Sequence, residues 1–442
     1  MKQKADIIIK GGTILSVNSE DEILNNHAIA IHNGIITAIA PTAEIEKNYE
    51  AAETLNADKK IVMPGLINTH THSAMTVFRG FADDMPLQKW LMEYIFPVEA
   101  RFTTEDMVYK GTRLALAEML LSGTTTFNDM YYFQDAAAQA VKAFGMRAVL
   151  SESIADFPVP GSPTYRQSLD YTKALITKYK NDPLITIAAA VHAPYTSTPE
   201  ILHAAKDLSD RHNLLMNIHI GETQWEVETI KKRHGKSSVK FLDDLNFLNQ
   251  RTIAAHSVHL SEEDMAVYQK RGTGVAHNPE CNMKIASGAA PVPQYLKTGI
   301  KVGLGTDGVA SNNNLDLFEE MHSMALLHKL TSQDPTVLSA REAVRIATVG
   351  GARVLGMEDK IGSLEIGKKA DIITVDIDNP RAVPMYDPYS VLVYSLNGSD
   401  VADSIVNGRL LVKNKQLIDI DLQEIMQDAS DCAEKIKKEL FR

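Results

Sequence analysis

The sequence predicts an α/β protein in which a (β/α)8 barrel of the TIM type carries a small β-sandwich domain built from both chain termini. Three observations support this fold class. Through the middle of the chain, apolar β-branched runs alternate with amphipathic segments of helical spacing. Eight such alternations over about 300 residues fit a closed barrel better than an open sheet. On both sides of this middle, short β-type segments are joined by tight-turn signals.

The barrel strands are predicted from eight apolar runs. They cover residues 62–68, 124–128, 147–150, 184–191, 213–220, 252–255, 273–276 and 300–304. A doubly wound open sheet is the alternative. The one Gly-x-Gly-x-x-Gly match, residues 303–308, begins inside the last run and is followed by Ser311-Asn-Asn-Asn, not by a segment of helical spacing. The dinucleotide site typical of that fold is therefore unsupported.

The helices between these runs have recognisable start signals. A capping Thr or Ser precedes three of them, in Thr103-x-x-Asp106, Thr198-Pro199 and Ser339-x-x-Glu342. The first of these helices is predicted to end at Gly123, since glycine accepts the backbone conformation that commonly follows a helix.

The terminal segments have the pattern of β-hairpins. Asn33-Gly34 separates two alternating apolar runs near the N-terminus, and Asn407-Gly408 does the same near the C-terminus. Asn-Gly is a strong hairpin signal because both residues accept positive φ. We therefore predict three parts: residues 1–60 and 365–442 form the small β domain, the latter with a terminal helix, and residues 61–364 form the barrel.

Composition excludes several classes of partner. The chain has 442 residues with 45 Lys+Arg and 56 Asp+Glu, a net charge of −11, which disfavours nucleic acid or an anionic membrane as the main partner. Two cysteines cannot build a disulfide framework. No signal-peptide pattern is present, and no apolar run approaches the roughly 20 residues that span a bilayer. We expect a soluble cytoplasmic protein that acts on a small molecule, with a homo-oligomer left open.

Two histidines end the first predicted strand. His70 and His72 are two residues apart, so a strand projects both to the same face. They could be ordinary polar residues at a strand end or half of a transition-metal site. Further ligand-type side chains end later runs, namely His192, His219, His256, His277 and Asp307, of which His277 is given no role and is expected to be a packing residue. In a barrel these strand ends converge, which favours the metal site.

A mononuclear metal centre can be assembled from this set. His70, His72, His219 and Asp307 supply three nitrogens and one oxygen, which suits Zn2+ or Fe2+ and leaves a position for water. Such a metal lowers the pKa of bound water toward about 7. Asp307 could be both ligand and general base.

Two further residues are candidates for the proton chemistry. Glu222 follows His219 by three residues and could carry a proton to a ring nitrogen or leaving group. His256 could hold the attacking hydroxide or polarise the developing charge.

These motifs resemble the amidohydrolase superfamily. The resemblance is carried in order by His70-Thr-His72, His192, His219-x-x-Glu222, His256 and Gly305-Thr-Asp307. More narrowly, it lies with the cytosine/guanine/adenosine deaminase and chlorohydrolase branch, and it extends through the flanking β segments. Within that branch, the segment 78–85, Trp90, Glu99 and the segment 311–315 are similar to the 5′-methylthioadenosine/S-adenosylhomocysteine deaminases.

The resemblance implies a role for each site residue. The metal ligands would be His70, His72, His219 and Asp307, and the catalytic partners Glu222, His256 and Asp307. Glu99 and His192 would hold the ribose or base, Trp90 would line the pocket, and Ser311 would lie by the reacting centre. Binuclear relatives bridge two metals through a lysine of the barrel. The matching run 188–192 contains no lysine, which favours one metal.

The chain departs from that family at one position. Ser151-Glu152-Ser153 stands where those deaminases typically have Ser-Arg-Thr, whose Arg binds the distal carboxylate of the substrate. An anion there would repel that carboxylate by about a kcal/mol or more. We therefore expect neutral adenosine-like nucleosides, or another aminated heterocycle, to be preferred. The alternatives are compensation by Arg166 and a Glu152 side chain that points away from the pocket.

The function predicted from the sequence is hydrolytic deamination of an adenosine-like nucleoside. A guanine or other heterocycle deaminase, or an s-triazine-type hydrolase, would share the metal site but not the ribose contact at Glu99. A non-catalytic barrel scaffold is a remote alternative, because all four ligands and Glu222 are present.

Overall fold

The computed structural model of the protein describes residues 2–440. The N-terminal elements are β1 (Gln3–Lys10), β2 (Thr13–Leu15), β3 (Ile23–Asn25), β4 (His27–His32), β5 (Ile35–Pro41), α1 (Thr42–Asn48), β6 (Tyr49–Asn56) and β7 (Lys60–Pro64). Four of these strands form one sheet in the order β5-β4-β1-β6. The others join strands from the C-terminal end of the chain.

A parallel eight-stranded barrel follows. Its strands are β8 (Leu66–Thr71), β9 (Thr124–Tyr131), β10 (Arg147–Glu152), β11 (Ile185–Val191), β12 (Met216–Ile220), β13 (Thr252–His256), β14 (Gly274–His277) and β15 (Val302–Leu304), paired in chain order. Contacts between the first and last strands close the barrel. The Thr69 hydroxyl donates to the Leu304 carbonyl at 2.9 Å, and the Asp307 N–H donates to the His70 carbonyl at 3.0 Å.

Helices surround the barrel strands. They are α2 (Leu87–Lys89), α3 (Phe96–Phe102), α4 (Glu105–Leu121), α5 (Gln134–Phe144), α6 (Tyr165–Tyr179), α7 (Pro199–His212), α8 (Gln224–His234), α9 (Ser238–Asp244), α10 (Glu262–Arg271), α11 (Pro279–Lys284), α12 (Val292–Lys297), α13 (Leu317–Ser332), α14 (Ala340–Arg345) and α15 (Gly351–Val354). Short 3-10 turns cover Ser73–Phe78 and Pro194–Thr196, and π-helical turns cover Trp90–Ile95 and Ile346–Gly350.

The capping predictions hold at two helices and shift at a third. Thr198 and Ser339 cap α7 and α14 as predicted. At α4 the cap is Thr104, one residue after the predicted Thr103, and its hydroxyl accepts the Met107 N–H at 3.2 Å. Both threonines are able to cap a helix, so the sequence alone does not determine which of the two residues starts α4.

The C-terminal elements complete a second terminal sheet. They are β16 (Ile372–Asp376), α16 (Pro388–Tyr394), β17 (Val401–Val406), β18 (Arg409–Lys413), β19 (Gln416–Leu417) and α17 (Leu422–Leu440). This seven-stranded sheet has the order β19-β18-β17-β16-β7-β2-β3. Its apolar side shares a core with the four-stranded sheet, in which Ile9 and Ile29 pack with Val62 and Ile372. The predicted fold class, a barrel with a β-sandwich from both termini, is confirmed. Within residues 2–440, no helix combines the length and apolarity needed to cross a membrane.

The apolar run 62–68 is divided between two sheets, so its prediction as one barrel strand is wrong. β7 pairs with β16 in the terminal sheet, whereas β8 starts the barrel at Leu66. Gly65 joins them beside Thr125, where an added β-carbon would lie 2.1 Å from the threonine hydroxyl oxygen. This close approach requires glycine, and it lets one continuous apolar segment cross between the two sheets.

The two Asn-Gly hairpins are confirmed and lie against each other. Asn33 and Gly34 join β4 to β5 with φ of 51° and 75°, and Asn407 and Gly408 join β17 to β18 with φ of 49° and 76°. A β-carbon on Gly408 would lie 2.5 Å from the Cα of Gly34. The contact of the two turns therefore links the N-terminal and C-terminal parts of the sandwich.

Candidate active site

A cavity lies at the carboxyl ends of the barrel strands. Most of the predicted site residues line it, namely His72, Trp90, Glu99, His192, His219, Glu222, His256, Asp307 and Ser311. His70 lies beneath its surface, and His277 does not join: the His277 Nε2 is 3.1 Å from the Nε2 of buried His328. The strand-end pattern thus brings together His70 and Asp307, which are 237 positions apart in the chain.

The four predicted metal ligands are adjacent. The Asp307 Oδ1 is 3.3 Å from the His70 Nε2 and 3.1 Å from the His72 Nε2. The His219 ring centroid lies 4.9 Å from that of His70 and 5.4 Å from that of His72. Asp307 and His256 have φ of 61° and 68°, a left-handed conformation that costs non-glycine residues free energy and is concentrated at functional sites.

Backbone carbonyls orient two of the histidines. The His72 Nδ1 donates to the Met130 carbonyl, and the His219 Nδ1 donates to the His192 carbonyl at 2.6 Å. Because a carbonyl only accepts, each Nδ1 carries a proton and each Nε2 faces the centre. This arrangement is typical of metal-binding histidines.

The centre has the donor atoms and the vacant hydrogen-bonding capacity that a cation needs. The His70 Nε2 and Asp307 Oδ1 are buried and have no hydrogen-bond partner of normal geometry among residues 2–440. Ligand atoms of His70, His219, His256 and Asp307 all lie within 4.8 Å of one another. This set contains His256 in place of the predicted His72, whose Nε2 lies 3.1 Å from the Asp307 Oδ1. A divalent cation fits this set of imidazole and carboxylate donors.

The pKa shifts at the centre are consistent with cation binding. Burial lowers the pKa of His70 to about 4 and that of His219 well below its ordinary value. Burial would raise the pKa of Asp307, but the neighbouring His70 and His72 imidazoles hold it well below its ordinary value. Burial would likewise lower the pKa of His72, yet its hydrogen bond with Asp307 raises it to about 9. A bound cation would displace that proton, since metals bind neutral imidazole.

Glu222 and His256 lie beside the ligands. The Glu222 Oε1 is 3.8 Å from the His256 Nε2, and the His256 Nδ1 donates to the Asn282 Oδ1 at 2.9 Å. Burial raises the pKa of Glu222, because desolvation disfavours the charged carboxylate. A protonated carboxyl group at the cavity wall can donate to a ring nitrogen.

Glu226 lies directly behind the site and was not singled out from the sequence. Its carboxylate accepts the backbone N–H groups of Gly221 and Glu222 at 2.9 and 3.1 Å and the Ser238 hydroxyl at 2.9 Å. Burial raises the pKa of Glu226 to about 7. The pattern Thr223-x-x-Glu226 at the start of α8 was the available signal, but it indicates only a helix cap.

Cys281 was also missed, because a single cysteine outside a paired motif gives no sequence signal for a site. It lies on α11, with its Sγ 2.8 Å from the Asp307 Oδ2 and 3.3 Å from the Ser311 Oγ. The Ser311 hydroxyl donates to the same Asp307 oxygen at 2.8 Å. Two side chains thus orient Asp307 so that its other oxygen faces the histidines.

The predicted substrate contacts line the outer wall of the cavity. Glu99 on α3 is buried, and burial raises the pKa of Glu99 to about 7. The His192 Nδ1 lies 2.9 Å from the Thr196 Oγ1, which holds the ring at the cavity wall. Trp90 lines the cavity from the π-helical turn before α3.

A second chamber of about 720 Å³ continues outward from this cavity. Glu99 and Tyr195 border both spaces, and the charged side chains Asp156 and Arg233 line only the outer one. Arg166 does not line it and instead pairs with Glu200 at 3.3 Å on an exposed surface. The proposed compensation by Arg166 therefore has no support in the structure.

Glu152 points away from both spaces. It is 2% exposed and accepts the backbone N–H groups of Phe133 and Gln134 at 3.2 and 3.1 Å, at the start of α5. Burial raises the pKa of Glu152 to about 8. The expected repulsion of a substrate carboxylate by Glu152 is therefore wrong, because the position holds a buried helix cap.

Comparison with known proteins agrees with this site. The model of the amidohydrolase family matches residues 61–411. The chain belongs to the amidohydrolase family. The predicted resemblance is thus confirmed. The prediction that the protein is a hydrolase acting on C–N bonds is confirmed with it.

Two curated amidohydrolase relatives align with nearly the whole chain. The 5-methylthioadenosine/S-adenosylhomocysteine deaminase of Syntrophobacter fumaroxidans is 46% identical over 98% of this chain and 99% of its own. The 5′-deoxyadenosine deaminase of Methanosarcina barkeri is 43% identical over 98% of both chains. Among solved structures, an adenosine deaminase from Xanthomonas campestris with bound zinc has a TM-score of 0.97 at 36% identity, covering 99% of this chain and 100% of that one.

Proposed function

We propose that this amidohydrolase is a metal-dependent deaminase of adenosine-like nucleosides. Its substrates would be 5′-methylthioadenosine, S-adenosylhomocysteine or adenosine, and its products ammonia and the inosine analogue. The observation that carries the proposal is the convergence of a His/Asp cation centre, Glu222 and Glu99 on one cavity. The names of the similar deaminases support the same substrate class.

The metal would be one Zn2+ per subunit, with Fe2+ as the alternative. His70, His72, His219 and Asp307 would hold it, and His256 lies close enough to contact it or the water beside it. When bound, the metal supplies a Lewis acid that lowers the pKa of a water molecule. The zinc recorded in the Xanthomonas campestris deaminase supports zinc here.

The proton transfers can be assigned to side chains of the chain itself. Glu222 would donate its proton to the ring nitrogen next to the amine-bearing carbon as water adds to that carbon. Asp307 would accept one proton from the water and pass it to the amine, so that the C–N bond breaks and ammonia leaves. The remaining proton of the added hydroxyl would return to Glu222, which leaves the carbonyl group of the inosine analogue. The His256 Nε2 would orient the water oxygen, since Asn282 fixes the proton on the other nitrogen.

The remaining contacts select the nucleoside. Glu99 is buried, and burial raises its pKa to about 7. Its carboxyl group would accept hydrogen bonds from ribose hydroxyls. His192 would contact the ribose or base, Trp90 would pack on the base, and Ser311 would lie by the reacting carbon. The outer chamber would receive the 5′ substituent of the nucleoside. Because Glu152 is buried at the start of α5, it would not repel a charged 5′ substituent.

A panel of substrates tests this proposal. The zinc-loaded enzyme is assayed for release of ammonia and chloride from adenosine-type nucleosides, guanine, adenine and chlorinated s-triazines. We expect ammonia from the nucleosides, with Glu99→Gln raising KM for nucleosides at least tenfold. The exposed Glu93→Gln is the matched control. Faster turnover of guanine or a triazine would replace the proposal with the corresponding heterocycle hydrolase. No turnover of any of them would favour a non-catalytic scaffold.

We further infer a cytoplasmic enzyme with a small-molecule partner and without nucleic acid. The unpaired, buried Cys281 and Cys432 are consistent with a reducing compartment. The net charge of −11 disfavours polyanion binding. A homo-oligomer is compatible with the fold, and light scattering of the purified protein measures it.

A further inference from the structure

We propose that Glu222, His256 and Cys281 form a second site, for a thiophilic divalent cation such as Zn2+ or Cd2+, and that its occupation inhibits the enzyme. This site lies next to the His70/Asp307 centre and shares His256 with the cluster there, whereas Glu222 and Cys281 belong to this site alone. The four residues to which we assign the first ion, His70, His72, His219 and Asp307, leave His256 available to the second. It goes beyond the proposed deaminase activity, because it concerns control of the enzyme by excess metal.

The three donor atoms are near binding distance. The Glu222 carboxylate oxygen, the His256 imidazole nitrogen and the Cys281 sulfur all lie within 4.8 Å of one another, and the first two are 3.8 Å apart. Tetrahedral zinc with ordinary bond lengths separates such donors by roughly 3.3–3.6 Å. Small side-chain rotations would therefore bring all three to one ion.

His256 and Glu222 already present free donor atoms. The Asn282 Oδ1 accepts the His256 Nδ1 proton at 2.9 Å, so the Nε2 lone pair faces the site. The Glu222 side chain is 10% exposed, and no donor among residues 2–440 makes a hydrogen bond to its carboxyl group. A buried carboxyl group without a hydrogen-bond donor is the kind of group that a cation would satisfy.

Cys281 determines which cations fit. It is fully buried, with its Sγ held by contacts of 2.8 Å to Asp307 and 3.3 Å to Ser311. On binding, the S–H bond would break, the sulfur would bind the ion and the proton would leave to solvent. The Ser311 hydroxyl would still donate to Asp307 at 2.8 Å, so that carboxylate would keep its orientation. Thiolate, imidazole and carboxylate together select Zn2+ or Cd2+ over Mg2+ or Ca2+.

Inhibition would follow from the identity of the donors. We assign Glu222 to protonate the ring and His256 to orient the water. An ion bound to both side chains would prevent both steps. This part of the inference rests on the proposed function. Binding of the ion itself does not.

Cadmium binding tests the site without substrate. Enzyme already carrying one metal is equilibrated with Cd2+ or Mg2+, and bound metal and the ultraviolet absorption of Cd2+–thiolate bonds are measured. We expect a second ion and the absorption band with Cd2+, and neither with Mg2+. Cys281→Ser should lose the absorption band and bind the second Cd2+ at least tenfold more weakly, whereas Cys432→Ser should keep the band and the affinity. The proposal is overturned if wild type binds no second ion or if Cys281→Ser keeps the band.

A second variant covers failure of Cys281→Ser to fold. Glu222→Gln replaces the carboxyl group by a neutral amide of the same size and should weaken the second Cd2+ at least threefold; unchanged affinity would contradict the site. In the activity assay, the Zn2+ concentration for half inhibition should rise at least tenfold in Cys281→Ser relative to Cys432→Ser. If no substrate of the proposed class is turned over, the cadmium measurements still decide whether the site exists.

Discussion

The buried carboxylate of Glu226 accepts the backbone N–H of Glu222 at 3.1 Å. A second bond from the Gly221 N–H, at 2.9 Å, makes Glu226 the support for the loop that carries Glu222 from β12 into the cavity. Glu226 does not line the cavity, so it is a positioning residue.

We expect Glu226→Gln to lower kcat about 10- to 100-fold while the metal content stays unchanged. The amide has one acceptor oxygen, and its NH2 group would face one of the two backbone N–H groups, which would displace Glu222; a misplacement of about 1 Å can cost roughly 100-fold. Steady-state kinetics and metal analysis measure both effects. The matched control is Glu228→Gln, because Glu228 is exposed on the same helix. Equal kcat in the two variants would show that Glu226 does not position Glu222.

His70→Ala should release the catalytic metal. His70 is 1% exposed and directs its Nε2 to Asp307 at 3.3 Å, so no neighbouring water can easily replace the imidazole. Removing a residue that only hydrogen-bonds to a metal ligand typically lowers metal affinity 10- to 100-fold. Removing the ligand itself should lower it further. Metal analysis after dialysis checks this, with the exposed His203→Ala as control. Full metal retention by His70→Ala would place the centre on other residues.

As the pH rises from about 5 to about 8, the free energy of unfolding of the wild type should decrease, in part because of Glu152. Burial raises the pKa of Glu152 from 4.5 to about 8, so in this window the folded protein keeps a proton that the unfolded chain releases. Stability from this group is therefore lost as pH rises toward 8 and is constant above it. Glu152→Gln cannot ionise and should lack this decline, which amounts to on the order of a few kcal/mol. Urea unfolding of both proteins at several pH values measures it; parallel curves would contradict the buried cap.

Glu152→Arg should destabilise the fold and leave S-adenosylhomocysteine turnover no better. The arginine would bury a cation against the N–H groups of Phe133 and Gln134, at the positive end of α5. An uncompensated buried charge typically costs about 3–5 kcal/mol. The free energy of unfolding and kcat/KM for S-adenosylhomocysteine are compared with those of Glu152→Gln. A stable variant with higher kcat/KM would mean that position 152 faces the substrate after all.

Arg147→Met should weaken the connection between the barrel and the terminal sheet. Arg147 on β10 makes two bonds to the carboxylate of Asp371, of 2.7 and 3.0 Å, and both residues are buried. Leaving Asp371 as an unpaired buried charge should cost about 3–5 kcal/mol. Adding Asp371→Asn removes the charge, retains an acceptor for the Asn407 N–H, and should recover part of the loss. A double variant less stable than Arg147→Met would contradict this explanation.

Much of the fold could be predicted because its signals are local. Alternating apolar runs identified the barrel, and Asn-Gly pairs identified both hairpins, since turn conformation depends on the two residues in the turn. The division of 62–68 at Gly65 could not be predicted. An apolar run looks the same whether it lies in one sheet or crosses between two, and only the contact with Thr125 shows the crossing.

The sequence by itself determined the residue types and the strand ends where they lie, and therefore the cation centre around His70 and Asp307. It could do so because a barrel gathers all strand ends on one side. Tertiary structure alone decided that Glu152 caps a helix, that Glu226 supports Glu222 and that Cys281 contacts Asp307. Those facts depend on the direction of side chains and on contacts between distant segments, which strand periodicity does not specify.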